Sequence, residues 1–459
     1  MRLISFFYNL LWGDLFTIPL PGGSSMGISL LVLLLIPTGL YFTLRTHFLP
    51  IRYFREMLRI SLEKRTVDKH ALSGLQALIV STATRVGMGN MVGVVAAISV
   101  GGAGSVFWMW LTALIGSSTA FIEATLAQIH KQPDPLYGGY RGGPAYYLHD
   151  FFAKRKKRSV IAVLFALSGL LCWCGVSQVV SNSVSSAFYN AFSIPPLFTT
   201  ILLVGLAAII VLRKNATVKV LDIIVPVMAV FYFLISIYVI IRNITLLPSV
   251  FQRIFEEAFG LRQAVAGGFG AALMNGVKRG LFSNEAGSGS APCAAAAADV
   301  SHPAKSGLFQ AFGVIIDTII ICSCTAMIML LAPANLLDGL SGMELLQTAM
   351  HYHFGNAGVI FTTITLWLFS FSTFIGILFY ARSNVAYLFG DKWLFQTLYK
   401  LLALVMLFIG GLSTYTFVWD LGDIGVGLMT IFNLIAVLPM SKEALQALDD
   451  YAAQMKQNP

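Results

Sequence analysis

The stretch GVKRGLFSNEAGSGSAPCAAAA, Gly276 to Ala297, decides how this chain is read. It gathers Lys278, Arg279 and Glu285 with Ser283, Asn284 and several glycines, and apolar sequence flanks it on both sides. Glycine lowers helix stability and lets backbones approach closely. Here such a helix-breaking, charged passage sits in a chain whose charged residues total only 11%. A soluble domain carries about 25%.

Outward from that stretch the chain is apolar almost everywhere. Of 459 residues 57% are hydrophobic, 34 are Phe, and the mean hydropathy is +0.78. Runs of about 20 apolar residues recur, the length needed to cross a bilayer as a helix. They show no period-two alternation, which excludes an outer-membrane barrel. The pattern predicts an all-α polytopic membrane protein with eleven spans: 28–46, 74–100, 104–128, 159–189, 197–212, 218–241, 263–300 (interrupted), 308–332, 357–381, 394–415 and 418–440. Residues 4–13, ISFFYNLLWG, read as an interfacial anchor before the first span.

The net charge of +9 is topological rather than a nucleic-acid surface. Alternating the spans puts 23 of the 30 Lys and Arg at or beside one face, including the run KRKKR, Lys154 to Arg158. The positive-inside rule then makes the 45–73 loop cytoplasmic, the N-terminus external and the C-terminus cytoplasmic. The five cysteines, Cys172, Cys174, Cys293, Cys322 and Cys324, lie in apolar or small-residue segments and read as packing.

With the first span set aside, ten remain, and five plus five makes the second half enter the membrane inverted. The domain reading follows: 1–73 as N-terminal segment, extra helix and basic loop, 74–241 and 263–440 as inverted repeats, 441–459 as a cytoplasmic tail. The first span of each half carries a Gly-x-Gly pair. Gly87 and Gly89, in ATRVGMGNMVGVVAA, align with Gly287 and Gly289, 200 residues on. In a bilayer an unwound backbone is tolerated only where it is buried in protein or lines a cavity. A half-helix N-terminus there attracts a carboxylate, and freed carbonyls hold a cation. Two such breaks suit a zwitterionic amino acid with Na⁺. A channel filter uses similar parts, and an intramembrane enzyme finds no His-Glu-x-x-His or Gly-x-Ser-x-Gly here.

VGMGNMVGV, GGPAYYL and above all VKRGLFSNEAGSGSAP with DVSHPAKSGLFQAFGVIIDTIIICSCTAMIML closely resemble the sodium:alanine (alanine/glycine:cation, or amino acid carrier) symporter family. The resemblance runs from about Leu75 to Pro439. VGMGN is also similar to the first broken helix of neurotransmitter:sodium symporters, which share a five-plus-five, leucine-transporter-type fold of the APC superfamily. The resemblance implies Na⁺-coupled import of small neutral amino acids of the alanine/glycine class, with glutamine or serine as larger alternatives and a cation channel as the reading from another class. It implies partners limited to that solute, Na⁺ and the inner-membrane bilayer, with no catalytic residues.

Carried over position by position, it implies substrate contacts from Thr84, Gly87, Gly89, Asn90, Gln178, Val180, Asn182, Gly280, Ser283, Asn284, Thr373 and Ile377. For Na⁺ it implies Ala83, Val86, Asn90, Ser372 and Thr373. Two positions depart from the family pattern: Val180 stands where relatives have Gln, and Ile377 where they have Trp. Glu285 reads as a structural partner of Lys278, Arg279 or Arg85 against a coupling carboxylate, Arg85 as a gate or ion pair, and Glu123 as structural. Asp317 reads as a hydrogen bond between helices.

Overall fold

The computed structural model describes residues 2–19, 25–61, 72–73, 87–153, 159–213, 218–261 and 268–457. Within a bilayer a helix meets every backbone hydrogen bond inside its own segment, and the apolar runs fold accordingly. In chain order the helices are α1 (Arg2–Trp12), α2 (Leu30–Arg45), α3 (Phe54–Ser61), α4 (Gly89–Gly101), α5 (Gly104–Ile129) and α6 (Pro144–Phe152). Then come α7 (Val160–Phe192), α8 (Pro196–Val211), α9 (Val218–Arg242), α10 (Leu247–Ala258) and α11 (Gly268–Asn284). The chain closes with α12 (Pro303–Leu330), α13 (Met343–Phe354), α14 (Asn356–Phe389), α15 (Trp393–Leu412) and α16 (Tyr415–Gln457).

Among the described residues six of these helices are long and apolar enough to cross a membrane, namely α5, α7, α12, α14, α15 and α16. The pair Val227–Arg242 and Ile244–Ala258, bent by 76°, meets the same length and apolarity only when taken together, which makes up to seven candidate spans. The shorter apolar helices α2, α4 and α8 complete the apolar set. The span expected over 74–100 is described only from Gly87 on.

α7 packs against α14, α15 and α16, while α5 packs against α11 and α12. Small residues bring the backbones together, as they must where lipid gives no hydrophobic drive to helix pairing. A Cβ on Gly175 would lie 2.5 Å from the amide nitrogen of Gly422, and one on Gly410 would lie 2.2 Å from the Cα of Gln178.

Some features have no counterpart in the sequence reading. A hairpin of β1 (Asp14–Pro19) and β2 (Ser25–Ser29) joins α1 to α2. Leu72–Ser73 pairs in parallel with Ala298–Asp299. The last helix overruns its expected 418–440 at both ends and reaches Gln457. Its far half is fastened sideways: His130 bonds Glu443 at 3.0 Å, His302 bonds Asp450 at 3.1 Å, and Tyr451 donates to Glu56 of α3 at 2.5 Å.

Candidate functional site

The second Gly-x-Gly passage is a true interruption. α11 ends at Asn284, and helix resumes only for the single turn Pro292–Ala295. Between them Glu285, Gly287 and Gly289 all have positive φ, at 58°, 95° and 80°. Glycine occupies two of these places because it alone enters that region without steric cost. Side chains take over the work that helical bonds would have done. Glu123 of α5 accepts from the Gly287 amide at 3.3 Å, and Asn433 of α16 donates to the Gly287 carbonyl at 3.0 Å. Asn433 also donates to Glu123 and accepts from the Tyr147 hydroxyl. Asn284 Oδ1 receives the Ala286 amide at 3.1 Å.

The first passage is built differently. Gly87 donates its amide to Asn90 Oδ1 at 3.0 Å, and Met88 donates to the Thr373 hydroxyl at 3.2 Å. α4 then starts with a π turn, Gly89–Gly93. The Asn90 amide group reaches Asp317 of α12, 2.6 Å to Oδ1 and 3.0 Å to the main-chain oxygen. Ser283 at the end of α11 donates to Asp317 Oδ2 at 2.8 Å, as does Thr318. Asp317 itself sits in a second π segment, Ile315–Cys322, a helix defect often found at functional positions. Asn90 and Asp317 are fully buried. An ionised carboxylate so buried requires hydrogen bonds or a cation.

Beside this cluster a cavity lies between the start of α4, the end of α11, α7, α14 and α16. Met88 and Gly89 line one wall and Thr373 and Ile377 another. Glu285, Ser288 and Ser290 supply polar groups, and Trp173, Val176, Phe282 and Val426 an apolar surface. Tyr380 donates to Glu285 at 3.1 Å.

Of the residues expected at the site, Gly89, Thr373 and Ile377 border the cavity. Asn90 and Ser283 join the Asp317 cluster. Gly87 caps the turn before α4, and Ser372 donates to the Phe369 carbonyl at 2.8 Å. Ala83, Thr84, Arg85 and Val86 lie outside the described residues.

Five positions face elsewhere. Gln178 donates to the Met406 sulfur at 3.2 Å and Asn182 to the Gly410 and Ser413 carbonyls, so both point to α15. Val180 is buried in the hydrophobic core, away from the cavity wall. The α7 residues that do line the cavity, Cys172, Trp173 and Val176, come one turn earlier. Gly280 is pressed against Thr112 of α5. Asn284 borders a separate pocket with Thr38 of α2 and Thr112 and Thr119 of α5.

Lys278 and Arg279 pair with Asp423 of α16 rather than with Glu285; the third expected partner of Glu285, Arg85, lies outside the described residues, and Glu285 lines the cavity. Asp423 carried no sequence signal beyond being one of two acids, with Asp420, in an apolar run. All five cysteines are free and buried.

The interruption after α11 and the start of α4 meet at a cavity with both polar and apolar walls, next to a buried acid ringed by amide and hydroxyl groups. The chain belongs to the sodium:alanine symporter family, whose model matches residues 22–459. That is a family of transporters, not of catalytic enzymes. The "Probable sodium/glutamine symporter GlnT" of Bacillus subtilis (strain 168) is 44% identical, over 93% of this chain and 88% of its own length. The sodium/alanine symporter AgcS of Methanococcus maripaludis is 35% identical, over 90% of this chain and 91% of its own. Among solved structures, MhsT in complex with L-phenylalanine superposes with a TM-score of 0.56 at 14% identity, covering 82% of this chain and 90% of that one. The fold is therefore all-α, polytopic and of the leucine-transporter type.

Proposed function

We propose that the chain imports small neutral amino acids of the alanine/glycine class with Na⁺, by alternating access around the cavity between the two interruptions. The observation that carries this reading is the contact of the cavity wall with the Asn90–Ser283–Asp317 cluster, which couples an oxygen-rich cation site to the solute site through Gly89 and Asn90. The substrate carboxylate lies at the N-terminus of α4, where amides and helix dipole favour an anion. Its ammonium group meets the acceptors of Glu285, Ser288 and Ser290, and its side chain meets Val176, Phe282 and Ile377. One Na⁺ binds at Asp317, and the hydroxyls of Ser372 and Thr373 serve a second position.

Eleven crossings complete the architecture, with α2 outside two inverted five-helix repeats, 74–241 and 263–440. The short helices α2, α4 and α8 and the interrupted α11 supply the crossings beyond the long ones. The N-terminus is external and the C-terminus cytoplasmic, supported by the placement of Lys and Arg. A cysteine placed in 60–70 is then labelled only from the cytoplasmic side.

Larger solutes remain a second reading, because the relative at 44% identity is named for glutamine and Ile377 leaves the wall less filled than Trp would. Uptake of labelled glycine, L-alanine, D-alanine, L-serine and L-glutamine into proteoliposomes, under imposed Na⁺, Li⁺ or proton gradients, tests both. Glycine and alanine uptake driven by Na⁺ is expected. Uptake indifferent to Na⁺, or single-channel currents, overturns the proposal.

A further inference from the structure

Above the cavity lies a buried ionic cluster that the transport site does not use. Arg279 holds Asp423 with two hydrogen bonds of 2.9 Å each, and Lys278 reaches the same carboxylate at 3.2 Å. The Arg279 guanidinium stacks 3.8 Å from the Trp419 ring centroid, and Trp419 lies 4.8 Å from Phe282, a wall of the cavity. α11 and α16 are thereby clamped together directly over the solute space.

The clamp is gripped from outside the ten-helix core. Lys278 donates to the Tyr8 hydroxyl at 2.5 Å. Trp12 donates its indole N–H to the Asp423 carbonyl at 3.0 Å. Leu11 and Trp12 are almost fully buried, seated over Gly427, where a Cβ would come within 3.1 Å of Leu11 Cδ1. α1 therefore touches both sides of the ion pair, the cation on α11 and the helix that carries the anion.

We propose that α1 is a latch on the outer gate: Tyr8 and Trp12 position Lys278 and Asp423 in the closed arrangement, and the cavity opens outward only when this grip is released. A buried, hydrogen-bonded charge pair is strongly favoured over its separated partners, so each bond to α1 adds to the closed population. Removing one bond to a charged group shifts that ratio by about tenfold. "Outer" rests on the orientation given under Proposed function.

The test reads solvent access to Cys172, which lines the cavity, in the otherwise native chain. A small membrane-impermeant thiol reagent is applied to right-side-out and to inverted vesicles, and Cys172 modification is followed by peptide mass spectrometry. Tyr8→Phe is expected to speed modification about tenfold from the outer face. Trp12→Phe should act in the same direction and more weakly, with Na⁺ plus alanine still protecting Cys172 in both variants. An unchanged outer rate in Tyr8→Phe overturns the latch. An equal rise from both faces with loss of protection also overturns it, because that marks a loosened fold. A rise confined to inverted vesicles upholds the latch and overturns the N-out orientation instead.

Discussion

The two Gly-x-Gly pairs, 200 residues apart, look alike in sequence and solve different problems. Gly287 and Gly289 are there for their backbone: both have positive φ, and the chain between them is held by side chains of α5 and α16. Gly89 keeps φ negative and starts a helix. A Cβ there would sit 3.5 Å from the Cα of Ser283, an ordinary contact. One pair permits an unwound backbone, and in the other Gly89 begins a helix beside the cavity. The same two-glycine spacing therefore serves two different physical uses.

Substitution by alanine separates the two uses most sharply. In Gly289→Ala the left-handed backbone costs about 1–2 kcal/mol. The new methyl also meets Pro144 at 2.7 Å and Phe165 at 2.9 Å, an overpacking of about 1–3 kcal/mol. Gly89→Ala meets only ordinary contacts, so its stability should change by less than about 0.5 kcal/mol while uptake falls. Thermal stability in detergent beside uptake measures both; equal destabilisation would erase the contrast.

The ligands of the first interruption give the next largest effect. Asp317→Asn removes the charge that Asn90, Ser283 and Thr318 surround. Hydrogen bonds to charged groups contribute about 1.5–3 kcal/mol, so half-maximal uptake should need at least about tenfold more Na⁺. Thr373→Val removes a neutral hydroxyl that accepts from Met88 and should raise the requirement only a few-fold, in line with about 0.5–1.5 kcal/mol. Unaltered sodium dependence in either variant takes that residue out of the cation site.

Specificity is the subtlest expectation. Ile377→Trp fills the cavity wall and should penalise large substrates more than glycine or alanine, within the roughly 1–3 kcal/mol that a methylene's worth of space decides. Val180→Gln buries an amide in the core away from the cavity, so it should lower stability and leave the substrate ranking alone. Competition uptake with a side-chain size series distinguishes them. A changed ranking in Val180→Gln would return that position to the pocket.

Composition and periodicity made the membrane class and most helix positions legible, because twenty apolar residues have few other fates. Glycine spacing pointed to the interruption after α11. What stayed hidden depends on rotation about a helix axis. On α7 the polar signal at Gln178 and Asn182 pointed to a site, but those amides satisfy α15, and the cavity face carries Cys172, Trp173 and Val176. Pairing was hidden for the same reason. Lys278 and Arg279 are near Glu285 in sequence, yet they project from α11 toward α16, where Asp423 waits. Asp317 was read as a hydrogen bond between helices, and it accepts from Asn90 of α4 and Ser283 of α11.

The overlong α16 has a mechanical meaning. Forty-three residues of helix measure about 65 Å at 1.5 Å each, roughly twice the hydrocarbon thickness. Its projecting half is a crossbeam bolted to α3, to the end of α5 and to the turn before α12. One bolt weakens as pH rises. Burial pushes the His130 imidazole pKa down, but hydrogen bonds to Asp150 and Glu443 outweigh it and hold the pKa above the usual value. The bolt is thus fully engaged below the unfolded pKa of about 6.5 and slackens as pH rises through the higher folded one. The pH at that end of the molecule therefore sets how firmly α16 is tied to the end of α5.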